Sequence, residues 1–214
     1  MAAYHYLPLE RVIFGRPAAE AAAEEATRIG AKRVFVVSSR TLSRKTDEIG
    51  KIQSSLGDRY CGLFDECIAH TPWPSILEAA EAVRAAKPDL ILTVGGGTPI
   101  DTVKILQICL AHGVTGVEGL EALRVATRPS PVRQVTVPTT LSGAEFSNIG
   151  GGTDLRTRIK HSFSGADIGS RSVILDPALT RHTPEWLWLS TGVRGIDHAV
   201  EALCSIEANG MITT

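Results

Sequence analysis

Residues 90–94, Leu-Ile-Leu-Thr-Val, form an unbroken run of strand-forming residues that ends in three consecutive glycines, Gly95 to Gly97. The chain then passes directly into a helical pattern over residues 99–111, with Ile100, Val103, Leu106 and Leu110 at helical spacing. A strand with no polar alternation is buried on both faces, which a parallel sheet covered by helices provides. Glycines let the backbone turn sharply and approach a bulky anion. The first amides of the following helix have no partner within it and point outward, at the positive end of its dipole. Thr98 adds a hydroxyl at the helix start, and Asp101 and Lys104, three residues apart, share a face. The pattern is neither the P-loop nor the G-x-G-x-x-G fingerprint. Taken alone, it fits both a phosphate cradle and a turn that uses glycine for geometry only.

The rest of the chain repeats this alternation, the sequence sign of an α/β fold with a parallel sheet. Strands are expected at residues 4–14, 33–37, 60–64, 134–137 and 172–175, and helices at 18–29, 41–56, 74–86 and from Pro184 through about 206. Residues 114–131 read as a surface excursion. A hydrophobic content of 43% suffices for a core, and a formal net charge of -1 gives no long-range pull on nucleic acid or an anionic membrane, so a small-molecule partner is expected. The four cysteines, Cys61, Cys67, Cys109 and Cys204, form no C-x-x-C pair and match no zinc spacing, which reads as reduced thiols in a cytoplasmic protein. The N-terminal residues lack the pattern of a secretory signal, and no stretch is long enough to cross a bilayer.

A second loop, Pro138-Thr139-Thr140-Leu141-Ser142-Gly143-Ala144-Glu145, follows the next expected strand. Loops after parallel strands gather at the carboxyl edge of the sheet, so this loop and the glycine turn are expected to face one crevice. Its hydroxyls suit hydrogen bonds to ribose, amide or phosphate; the alternative is an ordinary polar turn.

With these two loops in view the chain resembles the iron-containing alcohol dehydrogenase family. GGGTPIDTVK is similar to the family's glycine triplet followed by Ser or Thr, Asp and Lys, and PTTLSGAE to its Pro-Thr-Thr loop, with a length that matches the maleylacetate reductase branch. ILDPALTRHTP, STGVRGIDHAVEA and the early RVIFG resemble further signatures in the same order. The resemblance implies a Rossmann-like parallel sheet domain that binds NAD or NADP, followed by an all-helical domain, the architecture also of dehydroquinate synthase. The boundaries expected are 1–183 for the dinucleotide-binding domain and 184–214 for the first helix of the helical one. By position, Gly95, Gly96, Gly97 and Thr98 would hold the diphosphate; Asp101, Thr139, Thr140 and Lys160 would line the dinucleotide path; residues 179–183, with Leu179 and Thr183 at their ends, would flank the ribose. No acidic residue follows the strand at 33–37, where Ser38-Ser39-Arg40 suits a 2′-phosphate; NAD and NADP both remain open.

The same resemblance directs attention to His198, which matches a ligand of the family's divalent metal, iron or zinc. The family's Asp one turn earlier is here Arg194, and a guanidinium repels a cation. Asp197 points about 100° away around the helix, and Glu201, three residues on, makes a His-x-x-Glu pair that fits metal binding or a simple hydrogen bond. The maleylacetate reductase branch lacks the Asp and works without a metal. Arg194 and His198 are then the expected catalytic residues, supplying positive charge to a substrate oxygen as a hydride moves between the nicotinamide and an alcohol, carbonyl or conjugated oxo-acid. The chain ends at Thr214, so truncation before most of the helical domain is expected, with an apolar face (Trp186, Leu187, Leu189, Val193, Val200, Leu203) left bare. The rival readings are a non-catalytic dinucleotide-binding fragment or regulatory module, and lyase chemistry of the dehydroquinate synthase type, against which the loop length and Arg194 argue. No nucleic-acid or membrane partner is expected, and a homodimer is an assembly to test.

Overall fold

A computed structural model describes residues 7–205. The strands are β1 (Arg11–Phe14), β2 (Val34–Ser38), β3 (Tyr60–Phe64), β4 (Leu90–Gly95), β5 (Arg133–Pro138), β6 (Ile149–Asp154), β7 (Ile159–Ser164) and β8 (Ser170–Leu175). The helices are α1 (Ala18–Ile29), α2 (Arg40–Lys45), α3 (Glu48–Leu56), α4 (Trp73–Ala86), α5 (Gly97–His112), α6 (Val117–Ala122), α7 (Pro177–Thr180) and α8 (Glu185–Cys204). Six strands make one sheet in the order β3-β2-β4-β5-β8-β1, with every pairing parallel. The chain runs outward from β2 to β3 and then returns to β4 on the other side of β2. The crevice at the carboxyl ends of β2 and β4 is therefore a topological switch point, where ligands bind in such sheets.

Every residue of β2 and β4 is buried, as the unbroken apolar runs require. Alternate side chains feed two cores. Phe35, Val37 and Ile91 join Ile76, Val103 and Leu106 on the face covered by α4 and α5. Val34, Val36, Leu92 and Val94 join Ala22, Ile49 and Ile52 on the face covered by α1 and α3. No helix among the described residues is long and apolar enough to cross a membrane.

The structure departs from the sequence expectations in several places. The helix expected over residues 41–56 is two helices, α2 and α3. Thr46 between them is extended, its hydroxyl donates to Leu42 O at 2.6 Å and accepts from Glu48 N at 3.3 Å, and such local side-chain bonds compete with a continuous helix. Residues 114–131 are more than a surface excursion, because they contain α6, whose Leu120 is buried in the core with Val114. The glycine-rich residues 149–154, unassigned from sequence, pair with β7 as an antiparallel hairpin lying on α5. Its Phe163 is buried edge-on against Trp73, ring centroids 6.1 Å apart. The strand expected over 4–14 is confined to β1, with residues 4–6 outside the described ones. The last helix ends at Cys204, and residue 206 also lies outside.

Glu25 joins α1 to the sheet. Its carboxylate is fully buried and accepts from Ser172 Oγ of β8 at 2.5 Å, from Arg11 Nε of β1 at 2.9 Å and from the Arg28 guanidinium at 2.7 Å. Burial opposes the charge, but the hydrogen bonds from Arg28, Ser172 and Arg11 outweigh it and hold the pKa at about 2 instead of 4.5. A depressed folded-state pKa stabilises the fold fully above the unfolded value. That contribution is lost as pH falls from about 4.5 to about 2. We expect Glu25→Gln to lower stability at neutral pH and to flatten its fall across this acid window; urea unfolding at stepped pH measures both, and an unchanged acid slope would refute the assignment.

Candidate functional site

The site starts from the turn between β4 and α5. Gly95 has φ 150, in the region that favours glycine, and an added Cβ would sit 2.9 Å from Pro99 Cγ. Gly96 caps the 16-residue α5, and no side chain bonds to the helix's first amides. Those amides face a cavity of about 840 Å³. A Cβ on Gly96 would meet Thr140 Cγ2 at 2.8 Å and one on Gly97 would meet Ser142 Oγ at 3.3 Å, so the glycines let the two loops close on each other. Main-chain contact continues as Thr139 N donates to Gly95 O at 3.0 Å.

The cavity gathers most of the residues expected from sequence. Gly96, Gly97, Thr98, Asp101, Thr139, Thr140, Lys160 and Thr183 line it, and Arg194 and His198 of α8 stand on its far wall. The Thr183 hydroxyl donates to Thr139 O at 2.7 Å, and Leu141 N donates to Thr191 Oγ1 at 3.2 Å, which seats the start of α8 on the Pro-Thr-Thr loop. Two expected residues act from behind the wall. Gly95 is buried and shapes the turn, and Leu179 has its side chain in the core beneath α1 and α3, not in the cavity. Sequence reasoning missed His70, Ser162 and Trp186, which also line the space. Ser162 was hidden with the hairpin, and His70 follows β3 in a loop without a recognisable motif.

The serine pair at the carboxyl end of β2 already has partners. Ser38 is buried and donates to Val94 O at 3.0 Å, Ser39 Oγ accepts from Leu42 N at 3.4 Å as the α2 cap, and Arg40 is ion-paired with Glu66. Ser39 and Leu42 still reach the cavity edge.

Behind the glycine turn, the side chain of Lys104 is fully buried. Its ammonium donates to Ala144 O at 2.6 Å and Ile149 O at 2.8 Å, and lies 3.5 Å from Asp101 Oδ1. Asp101 Oδ2 also accepts from Gly151 N at 3.1 Å. Burial pushes the Asp101 carboxyl up, against the pull of Lys104, the Gly151 amide and Lys160, and pushes the Lys104 ammonium down, against the pull of Asp101. One lysine thus pins both ends of the segment 144–149 to α5.

On α8, His198 is the residue that the resemblance offers to a divalent metal. Among the described residues no three His, Cys, Asp or Glu side chains gather to hold one. Arg194, one turn before His198, is ion-paired with Asp197 and 55% exposed. The exposed face expected on this helix is present: Trp186, Leu189, Val193, Val200 and Leu203 are each more than half exposed, joined by Ile196, whereas Leu187 turns to the cavity.

The sequence profile of the family described as iron-containing alcohol dehydrogenase matches residues 9–177. The dehydrogenase ALT3 of Alternaria alternata is 36% identical over 181 residues, 81% of this chain and 47% of its own. Maleylacetate reductase 1 of Cupriavidus pinatubonensis is 29% identical over 204 residues, 95% of this chain and 51% of its own. The crystal structure of maleylacetate reductase from Agrobacterium tumefaciens superposes with a TM-score of 0.76 at 29% identity, covering 99% of this chain and 53% of that one. The chain spans about half the length of the curated relatives it matches.

Replacing Lys104 with Met keeps the length of the side chain but leaves the carbonyls of Ala144 and Ile149 without their donor. A loss of about 2–4 kcal/mol is expected, read as a lower denaturant midpoint, and a wild-type midpoint would show that the ammonium does not pin this loop.

Proposed function

Because the chain belongs to the iron-containing alcohol dehydrogenase family, we propose that its α/β layer, through residue 183, binds NAD or NADP and that the whole protein is a nicotinamide-dependent oxidoreductase. The observation that carries this reading is the uncapped, glycine-lined start of α5, opening into the cavity at the switch point of the sheet. The backbone amides at Gly96, Gly97 and Thr98, with the Thr98 hydroxyl, hold the diphosphate. The helix dipole adds to their pull. Asp101, Thr139, Thr140 and Lys160 line the path of the nicotinamide half, and Thr183 fixes the Thr139 backbone beside it. Gly95 and Leu179 shape the walls of this path without touching the dinucleotide.

The bound nicotinamide supplies the hydride chemistry. The protein's part is position and charge. We read α8 as the start of a second, helical unit that closes the cavity from the other side. From there the Arg194 guanidinium and the His198 imidazole line the cavity, and the guanidinium charge and the N–H donors of both side chains stabilise negative charge on a substrate oxygen. Of the charged side chains lining the cavity, Asp101 alone is acidic and is met by Lys104 and Gly151, so the lining favours an anionic substrate such as an oxo-acid. Between β2 and α2 there is no carboxylate to repel a 2′-phosphate; Ser38 is engaged across the sheet, while Ser39, whose oxygen accepts from Leu42 N, keeps its O–H to donate. The four cysteines form no disulfide, which suits a protein kept in the reducing cytoplasm. The exposure of Arg194 on α8 favours one other reading, a dinucleotide-binding module without turnover.

Calorimetric titration with NADH and NADPH is expected to give saturable binding to the wild-type chain. Gly96→Ala, which drives a methyl against Thr140, is expected to weaken it at least tenfold, about 1.4 kcal/mol; heat absent for both nucleotides would end the assignment. Assays across alcohols, aldehydes and oxo-acids then separate enzyme from module. In the full-length protein, Arg194→Ala is expected to remove turnover with little change in nucleotide affinity, and wild-type turnover in that variant would exclude Arg194 from the chemistry.

A further inference from the structure

The second glycine triplet of the chain, Gly150 to Gly152, lies in β6 and has no part in the phosphate turn. Its members face two ways, as strand geometry requires. Gly150 and Gly152 are buried against α5: a Cβ on Gly150 would sit 3.2 Å from Lys104 Cβ, and one on Gly152 would sit 2.9 Å from Ile105 Cδ1 and 3.2 Å from Ile76 Cδ1. These two glycines let the hairpin lie close on the helix.

Gly151 points the other way, toward the cavity that it helps to line. In the hairpin it pairs with Ser162, and Lys160 pairs with Thr153, so Lys160 is the diagonal neighbour of Gly151 on the same face. The lysine stem lies across the bare α-carbon. A Cβ there would stand 2.9 Å from Lys160 Nζ and closer still to Cε, the tightest approach made by any glycine of the described chain. The same residue donates its N–H to Asp101 Oδ2, at the base of the phosphate turn.

We propose that Gly151 is a positioning residue for Lys160: the absence of a side chain at this one position is what lets the ammonium lie down over the cavity beside Asp101. This rests on the reading of the cavity as a dinucleotide site. The argument is steric and local. Gly151 has no left-handed backbone, so alanine fits the strand without strain. The atoms an alanine methyl meets are the free end of an exposed lysine, so the lysine gives way and the strand stays in place. Gly152→Ala differs, because its methyl meets buried isoleucines that have no such freedom.

The test is a double-mutant cycle on the chain, using NADH and NADPH as titrants in a calorimeter and thermal melts of each variant. Gly151→Ala is expected to keep the wild-type melting temperature and to weaken nucleotide binding about tenfold, the loss of one charge-assisted contact. Lys160→Ala is expected to weaken it equally, and the double variant to bind no more weakly than either single one. Additive losses, or wild-type affinity in Gly151→Ala beside a weakened Lys160→Ala, would overturn the proposal. So would a fall in melting temperature caused equally by Gly151→Ala with and without Lys160, since the methyl would then be meeting something else. A crystal structure of Gly151→Ala gives a readout without nucleotide: Lys160 Nζ displaced from Gly151 supports the proposal, and an unmoved ammonium rejects it. If wild-type protein binds neither nucleotide, the dinucleotide reading fails, and the crystal structure still decides whether Gly151 sets the place of Lys160.

Discussion

An ammonium group removed from water must find acceptors around it or lose its charge. Lys104 meets that demand with two main-chain carbonyls, five residues apart in a loop, and a neighbouring carboxylate. The loop is thereby tied to the buried charge, and three contacts accompany it around the cavity floor. Thr139 and Thr140 are held against the glycine turn. The hairpin is drawn onto α5. Asp101 is held by Lys104 on one side and the Gly151 amide on the other. A cavity lined by loops would ordinarily be soft; here its floor is tied to the longest helix of the sheet domain.

Much of this was legible in the sequence because the signals were periodic or stereochemically demanding. The strand at residues 90–94, the glycine break and the apolar spacing of α5 leave few alternatives, and α1 falls on the residues expected from its alanines and its closing Gly30. What escaped depends on contacts distant in sequence. The run Gly150-Gly151-Gly152 carries no strand signal in its composition; it is a strand through its pairing with β7, close on α5 where Lys104, Ile105 and Ile76 leave no room for side chains at Gly150 and Gly152. The break between α2 and α3 turns on a single threonine hydroxyl. Position within a motif gave Leu179 its place beside the cavity; the direction of its side chain follows from the packing of α7 against the core, which spacing does not encode. Ser38, suited to a ligand by chemistry, instead bonds across the sheet to Val94.

The two walls of the cavity differ in kind. The sheet side is built of backbone amides, glycines and short hydroxyl side chains whose positions are fixed by the parallel register. The α8 side presents longer side chains from a helix that touches the rest through the Leu141–Thr191 bond and the Leu141 side chain against Gly192. A dinucleotide needs the first wall, and orientation of a substrate needs both. The relatives are about twice as long, and residues 9–177, which the family profile matches, include those that build the first wall.

The pairing of β1 with β8 joins Arg11 to Ser172. Asp176, just beyond β8, accepts from the amide of Ala18 at the start of α1 at 2.7 Å while capping α7. A ribosome delivers the first of these partners long before the second, by on the order of ten seconds at ordinary rates of synthesis. During that interval α1 lacks its cap, Glu25 lacks Ser172, and the residues of β1 have no neighbouring strand. β8 is the last strand of this sheet to be made and stands between β5 and β1, so the sheet of the nascent chain stays open beside β5 until residues 170–175 emerge.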